Sequence, residues 1–127
     1  MSNAKRRRLS LIHIYTRAFL LSQDNASYYS GNVARGIGSY HTPDHWIWPL
    51  ALVMEGLTSD SPTEKQDVLN QLLASDPGDH LLHESFDPND PKRYTRVDFG
   101  WPNALFSEYI LTSFDGVSPI PMGEKST

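Results

Sequence analysis

The segment His80–Phe106 reads HLLHESFDPNDPKRYTRVDFGWPNALF and places one glutamate, Glu84, between a histidine and a serine. Asp, Pro and aromatic residues are frequent in it, as in a long loop. Loops of this length in a compact domain are usually functional or disordered, and the many aromatic and His side chains argue against disorder. We therefore expect an ordered loop with Glu84 as its main functional residue.

A lone loop glutamate is more often a surface carboxylate that caps a turn. The neighbours of this one favour a binding site, because they include His83, Ser85, Phe86, Arg96 and Trp101. Aromatic side chains offer flat apolar faces to sugar rings, and Arg, His and Asn fix hydroxyl groups through directed hydrogen bonds. Glu84 is therefore predicted to lie in a polar and aromatic site.

Four segments around this loop have helical spacing. They span about residues 9–21 and 44–57, then a helix that starts at Ser61 and one that opens near Pro102. Pro49 is costly deep inside a helix, so the regular part of the second is expected to begin near it. In Ser61-Pro62-Thr63-Glu64, Ser caps, Pro takes the first helical position and Glu reaches back. No segment shows sustained alternation of period two, so the predicted fold class is all-α.

Two connections between these helices, residues 22–43 and 76–101, are each longer than twenty residues. We call them the first and the second long loop. If the four helices alternate in direction, both long loops emerge at one end, opposite the short turn between the second and third helices. His41 and Glu84 then share one face, which is the shape of a helical barrel with a site at its mouth. Gly36-Ile37-Gly38-Ser39 in the first loop is interpreted as a sharp turn that needs positive φ.

Charge and composition exclude several classes of protein. Lys5–Arg8 supply four of the eleven basic residues, which leaves seven against fifteen acids in the rest of the chain. That balance is unfavourable for nucleic-acid binding. The apolar run after Arg8 is too short and too polar for a signal peptide, and no stretch approaches the roughly 20 apolar residues of a membrane span. Cysteine is absent, and the compartment stays open.

Other acids and a metal site are open alternatives. His80, His83 and Glu84 include two histidines at i, i+3, but their order matches neither common zinc motif, so we expect no metal and no cofactor. Asp87 and Asp90 in DPNDP are interpreted as turn residues, whereas Asp98 remains a candidate acid or base.

Several motifs together resemble the C-terminal part of glycoside hydrolase family 125, the metal-independent exo-α-1,6-mannosidases. They are TRAFLLSQDNASYYSG, ARGIGSYHTP, WIWPLALVMEGLTS, LLHESF, DPNDPKRYTR and FGWPNALF, and they cover about residues 15 to 112. Their consistent order and spacing make the set more specific than any one of them.

The resemblance implies a partial (α/α)6 barrel of about four helices and hydrolysis of α-1,6-linked mannose with inversion. It implies that Glu84 is the general base. His41, Arg96, Trp101 and Asn103 are implied to line the sugar site, and His83 beside Glu84 joins these substrate-binding candidates. The implied partner is a mannose-containing glycan.

The chain departs from the family pattern in ways that limit this prediction. Tyr40 stands where Pro is expected, and the segment with the family's general acid, an Asp, is missing. We expect a leader unrelated to the family at residues 1–14, a part of the barrel at 15–113 and a flexible tail at 114–127. Such a truncated chain is expected to be inactive alone and to self-associate. The rival hypothesis is a non-catalytic fragment that binds carbohydrate or another partner.

Overall fold

The computed structural model describes residues 2–114, and for residues 6–10 it describes the backbone alone. The elements are α1 (Asn3–Leu20), β1 (Tyr28–Ser30), β2 (Arg35–Ile37), α2 (Pro49–Leu57), α3 (Pro62–Ala74), β3 (Ser85–Asp87), β4 (Asp90–Thr95) and α4 (Gly100–Ser113). Of the predicted tail at 114–127, all but Phe114 lies outside the described residues.

The all-α prediction is wrong, because each long loop contains a β-hairpin. β1 pairs with β2 and β3 pairs with β4, both antiparallel. Three of the four strands have only three residues each. In so short a strand, alternation of apolar and polar side chains does not stand out in the sequence. The described residues form a mixed α/β arrangement, and these elements do not show the predicted partial (α/α)6 barrel.

The helix starts follow the local sequence signals. α2 begins at Pro49, as expected for a proline whose missing N–H costs nothing in the first turn. Ser61 caps α3, and its Oγ accepts the N–H of Glu64 at 3.2 Å. The other half of the predicted capping box is wrong, because the Glu64 carboxylate binds Arg17 instead of reaching back. α1 begins six residues before the predicted start.

The two hairpins meet each other. Ile47 and Phe86 exchange two backbone hydrogen bonds, of 3.0 and 2.9 Å, in an antiparallel bridge. The Val33 N–H donates to the Pro88 carbonyl at 2.8 Å. A side chain at Gly31 would overlap Pro88, so this close approach requires glycine. The two long loops therefore pack together as one layer over the helices.

The glycine-rich turn has a different explanation from the predicted one. Neither Gly36 nor Gly38 has a positive φ. Instead, a Cβ atom at Gly38 would overlap the carbonyl oxygen of Trp46, and one at Gly36 would lie within 3.1 Å of the Ile47 side chain. These glycines allow the backbone of β2 to approach the segment before α2 closely.

The core lies between α2, α3 and α4 and continues under the hairpins. Its buried apolar residues are Ala34, Ile47, Leu52, Val53, Val68, Leu72, Leu82, Phe86 and Tyr109. The Tyr109 hydroxyl donates to the carbonyl of Lys65, which fixes α4 against α3. Burial, followed by the charges of Glu55 and Glu64, raises the pKa of Tyr109 to about 12. The hydroxyl therefore stays a donor across the physiological range.

The helices among the described residues include none that is both long and apolar enough to cross a membrane.

Candidate functional site

Glu84 lies directly before β3, where the second hairpin begins. Its N–H donates to the carbonyl of Thr95 at 3.2 Å, which ties it to the end of β4. Its carboxylate forms an ion pair with Arg96, with 2.9 Å between Oε2 and Nε. The Glu84 side chain is 25% exposed and that of Arg96 is 61% exposed. The pair therefore lies at the rim of the hairpin, open to solvent on one side.

Arg96 has an unusual backbone. Its φ of 60° lies in the left-handed region, which non-glycine residues adopt infrequently. The turn that this conformation produces directs the chain from β4 towards α4. The guanidinium carbon lies 5.5 Å from the centre of the Phe99 ring, a cation–π distance. Arg96 thus links Glu84 to the start of α4.

His83 is buried, with 3% of its side chain exposed. Nδ1 lies 2.7 Å from the carbonyl oxygen of Arg96 and Nε2 lies 2.8 Å from Oδ2 of Asp79. The ring stacks on Tyr94, with 3.8 Å between centroids and 14° between planes. Both ring nitrogens are occupied by protein partners, so the predicted substrate-binding residue is oriented towards the interior.

Asn103 is also occupied by the protein. Its Oδ1 accepts the N–H of Leu82 at 2.9 Å, while Nδ2 donates to the carbonyls of Leu82 and Phe99 at 2.8 and 2.9 Å. These bonds attach the chain before Glu84 to the first turn of α4. Asn103 therefore helps to fix the backbone that precedes Glu84.

Trp101, Tyr40 and His41 present open surface. The Trp101 side chain is 63% exposed in the first turn of α4, and that of Tyr40 is 87% exposed after β2. The rings of Tyr40 and His41 lie 4.1 Å apart, centre to centre. In the part of the chain that the structure describes, the His41 hydrogen bond is made by its backbone, to Ser39 Oγ. The predicted common face of His41 and Glu84 stays a prediction.

The three residues of the alternative metal site have separate partners. His80 is exposed and its Nδ1 lies 2.7 Å from Asp76 Oδ2, whereas His83 faces Asp79 and Glu84 faces Arg96. Within residues 2–114, no group of three or more His, Cys, Asp or Glu side chains has the arrangement of a metal site.

The remaining candidate acids of the second loop differ in their contacts. Asp87 Oδ1 accepts the Asn89 N–H at 2.9 Å, and Oδ2 pairs with Arg93 at 3.2 Å. Asp90 Oδ1 accepts the Lys92 N–H at 3.3 Å. The predicted turn roles of Asp87 and Asp90 are confirmed. Asp98 is exposed beside Phe99, two residues after Arg96.

A cluster of two glutamates and Arg17 lies at the C-terminal end of α2, and the sequence did not predict it. Arg17 donates to both carboxylate oxygens of Glu64, at 3.3 and 2.9 Å, and to the carbonyl of Glu55 at 2.9 Å. Burial, and then the charge of Glu64, raises the pKa of Glu55 to about 7. Burial opposes ionisation of Glu64 too, but hydrogen bonds from Ser59 and Arg17 lower its pKa overall. The one signal in the sequence was the position of Glu55 in an otherwise apolar helix. Glu64 gave no signal, because its presence was already explained by the predicted capping box.

Three clefts of the described residues do not contain Glu84. A cleft of about 610 Å³ lies between α1 and α2 and is lined by Arg17, Met54 and Glu55 among others. One of about 490 Å³ lies along α3, and one of about 380 Å³ lies between the first hairpin and α3. Glu84 is therefore distinguished by its chemistry and its exposed position at the edge of the second hairpin, not by a cavity.

Comparison with known proteins identifies the class to which this fold and site belong. The family model of the metal-independent α-mannosidases, glycoside hydrolase family 125, matches residues 5–111. The chain therefore belongs to this family. The match starts ten residues before the boundary predicted at residue 15.

Two individual relatives agree with this assignment. The meiotically up-regulated gene 157 protein of Schizosaccharomyces pombe is 40% identical over 101 residues, which are 79% of this chain and 20% of that protein. A solved Streptococcus pneumoniae structure is 44% identical with a TM-score of 0.77, and the similarity covers 80% of this chain and 24% of that one. Its description is a non-productive complex with α-1,6-mannobiose from a study of metal-independent α-mannosidases. This chain thus spans about a fifth to a quarter of the relatives' length.

Proposed function

We propose that this chain carries the general-base side of an exo-acting α-mannosidase site, with Glu84 as the base in hydrolysis of α-1,6-linked mannose with inversion. The observation that carries the proposal is the Glu84–Arg96 ion pair at the exposed rim of the second hairpin. Membership of the α-mannosidase family and the similarity to a structure holding α-1,6-mannobiose support the substrate class.

The placement of Glu84 suits a base that activates water. Arg96 Nε lies 2.9 Å from Oε2, which leaves Oε1 as the carboxylate oxygen available to a water molecule. A water molecule at Oε1 would be oriented for attack and would lose its proton to the carboxylate. In an inverting glycosidase the acid stands roughly 6.5–9.5 Å from the base, so that this water fits between base and sugar.

The neighbouring residues divide into those that support Glu84 and those that face the sugar. We assign Arg96 and Trp101 to the sugar side, because both side chains are mostly exposed. The exposed His41 is assigned to the same surface. His83 and Asn103 are assigned supporting roles, because their polar atoms already have protein partners.

The chain by itself is proposed to release no mannose. Inversion needs a second carboxyl group as the acid, and the acids near Glu84 are engaged elsewhere: Asp79 with His83 and Asp87 with Arg93. Asp98 is the exposed exception. Release of mannose by the chain alone would contradict this proposal, and loss of that release in Asp98→Asn would identify the acid.

The decisive experiment transfers the segment into a complete family member. Residues 5–111 of this chain would replace the matching segment of the Streptococcus pneumoniae protein, and mannose release from α-1,6-mannobiose would be measured. We expect the hybrid to be active and its Glu84→Gln variant to lose turnover while binding the disaccharide. Turnover by that variant near the level of the parent hybrid would reject Glu84 as the base.

A non-catalytic carbohydrate-binding role is the second candidate, and the exposed aromatic residues favour it. Tyr40 and Trp101 present 87% and 63% of their surface to solvent. Sugar rings stack on such faces without any need for a base. Titration of the chain with α-1,6-mannobiose, followed by NMR, tests this role. Binding that is lost in Trp101→Ala, together with an inactive hybrid, would favour it over catalysis.

We also propose that the chain self-associates through α1. Leu11, Ile12, Ile14, Tyr15 and Phe19 on this helix are each more than half exposed. An exposed apolar surface of this kind promotes association. Sedimentation should detect dimers or larger species in the parent chain and mainly monomers in Ile14→Asp with Tyr15→Ser. A monomeric parent chain at high concentration would contradict the proposal.

A further inference from the structure

The backbone of Arg96 is held in a conformation that it would not adopt unaided. A non-glycine residue at φ 60° is less stable than in the right-handed region, because its Cβ atom crowds the neighbouring carbonyl oxygen. In return, the left-handed turn places the Arg96 guanidinium next to the Glu84 carboxylate, across the ends of β3 and β4. Something in the surrounding structure must therefore stabilise this turn.

The His83 ring makes the direct contact to that turn. A carbonyl oxygen only accepts hydrogen bonds, so Nδ1 must carry a proton and donate to Arg96 across 2.7 Å. On the opposite side of the ring, Nε2 faces the Asp79 carboxylate at 2.8 Å. The ring is 3% exposed and stacks on Tyr94, so it has little freedom to rotate.

Asp79 is itself fixed to the chain that leads to Glu84. Its Oδ1 accepts the N–H of Leu81 at 3.0 Å, while Oδ2 serves His83. The next residue, Leu82, is clamped at both its N–H and its carbonyl by Asn103. Leu82 and His83, the two residues before Glu84, are thus fixed by Asn103 and Asp79. His83 in turn fixes the carbonyl of Arg96.

We propose that Asp79 and His83 are positioning residues that hold the Arg96 carbonyl, and with it the left-handed turn that brings the Arg96 guanidinium to Glu84. The proposal deepens the proposed function and rests on it, because Glu84 needs a fixed partner only if its carboxylate acts on substrate. The geometry assigns the essential contact to Nδ1 of His83.

Two substitutions distinguish the roles of the two ring nitrogens of His83. Asparagine places an N–H donor near the position of Nδ1 and leaves the Nε2 position empty. Glutamine reaches the position of Nε2 and leaves that of Nδ1 empty. His83→Asn should therefore keep the bond to Arg96, and His83→Gln should lose it, although both remove the ring and its stacking on Tyr94.

The readout is the position of the Arg96 side chain in the 127-residue chain, observed by NMR. In the parent chain, nuclear Overhauser effects should connect the Arg96 methylene protons with the Phe99 ring. We expect these signals to weaken in His83→Gln, because loss of one net hydrogen bond of about 1 kcal/mol shifts the equilibrium away from the ordered turn about fivefold, and to persist in His83→Asn. Equal losses in the two variants, or no loss in either, would overturn the proposal.

Two further measurements keep the test independent of a general loss of structure. Contacts between the rings of Tyr109 and Phe114, which lie 5.5 Å apart at the other end of α4, should be unchanged in both variants. If His83→Gln does not fold, Asp79→Asn takes its place, because it preserves the shape of the side chain and removes its charge. We expect that variant to weaken the Arg96 signals about twofold, as for loss of part of a charge-assisted bond. Unchanged signals would remove Asp79 from the proposal.

The proposal and the proposed function fail in different ways. In the hybrid enzyme, His83→Gln should lower kcat more than it raises KM, because Glu84 loses its fixed partner Arg96 while the exposed Trp101 remains to contact the sugar. If Glu84→Gln leaves turnover intact, the proposed function fails while the NMR result still reports on the turn. If Glu84→Gln abolishes turnover and His83→Gln matches the parent hybrid, the positioning role alone is wrong.

Discussion

Two Arg–Glu ion pairs of 2.9 Å are built differently: Arg17–Glu64, beside the C-terminal end of α2, which we call the Arg17 end, and Arg96–Glu84, at the second hairpin, which we call the Glu84 end. Arg17 grips Glu64 with two guanidinium nitrogens and also binds a backbone carbonyl, so it connects α1, α2 and α3. Arg96 approaches Oε2 of Glu84 through Nε, and its side chain is about twice as exposed as that of Arg17. The first pair holds three helices together, whereas the second lies at the surface, where the Glu84 carboxylate can also contact a ligand.

Exchanging the glutamate of each pair for glutamine should lower turnover only for the Glu84 pair. In the hybrid enzyme, Glu84→Gln should reduce kcat by about 10²–10⁴-fold, the range over which a general base contributes. Glu64→Gln is the matched control and should leave kcat within about twofold, since it removes a charge far from the reacting bond. Similar losses in the two variants would contradict the division between the two ends.

Removing each arginine should affect stability in the opposite order. Arg17→Ala should lower the free energy of unfolding by about 1.5–3 kcal/mol, because it breaks several hydrogen bonds to charged and backbone groups. Arg96→Ala should cost less than about 1 kcal/mol, as for other exposed ion pairs. Urea denaturation of both variants provides the comparison, and a larger loss for Arg96→Ala would reverse our assignment of the cohesive pair.

The pH dependence of stability should originate at the Arg17 end. The pKa of Glu55 is raised from 4.5 to about 7, so between these values the folded chain binds more protons than the unfolded chain. The free energy of unfolding should therefore fall as the pH rises from 4.5 through 7 and then level off. The loss should be on the order of 1–2 kcal/mol, below the full linkage value because part of the carboxylate remains hydrated.

Glu55→Gln tests this origin directly. The variant should flatten the stability profile between pH 5 and 8, whereas Glu108→Gln on the exposed side of α4 should retain it. A slope that persists in Glu55→Gln would assign the effect to another group.

The sequence predicted the Glu84 end better than the Arg17 end for a physical reason. Glu84 and Arg96 lie within one continuous segment of distinctive composition, and both were predicted to belong to one polar and aromatic site. Arg17, Glu55 and Glu64 come from three helices, and each looks ordinary in its own segment. Only tertiary packing brings them together.

Local signals were reliable where a single residue type has a strong backbone preference. Pro49 and the Ser61 cap fixed two helix starts correctly. The hairpins were missed because pairing between short strands, and between Ile47 and Phe86, depends on contacts distant in sequence. The inward orientation of His83 was missed as well, although Asp79 and His83 stand four residues apart, a spacing that allows such a pair.

The bridge between Ile47 and Phe86 joins the second hairpin to the segment before α2, and we expect these two parts to open together. Each residue donates to the carbonyl of the other, and both side chains are buried. Separation of the second hairpin from this segment would therefore expose the amide of Ile47 as well as that of Phe86. In a hydrogen-exchange experiment these two amides should share one opening free energy, so the start of the second hairpin beside Glu84 opens together with the segment before α2.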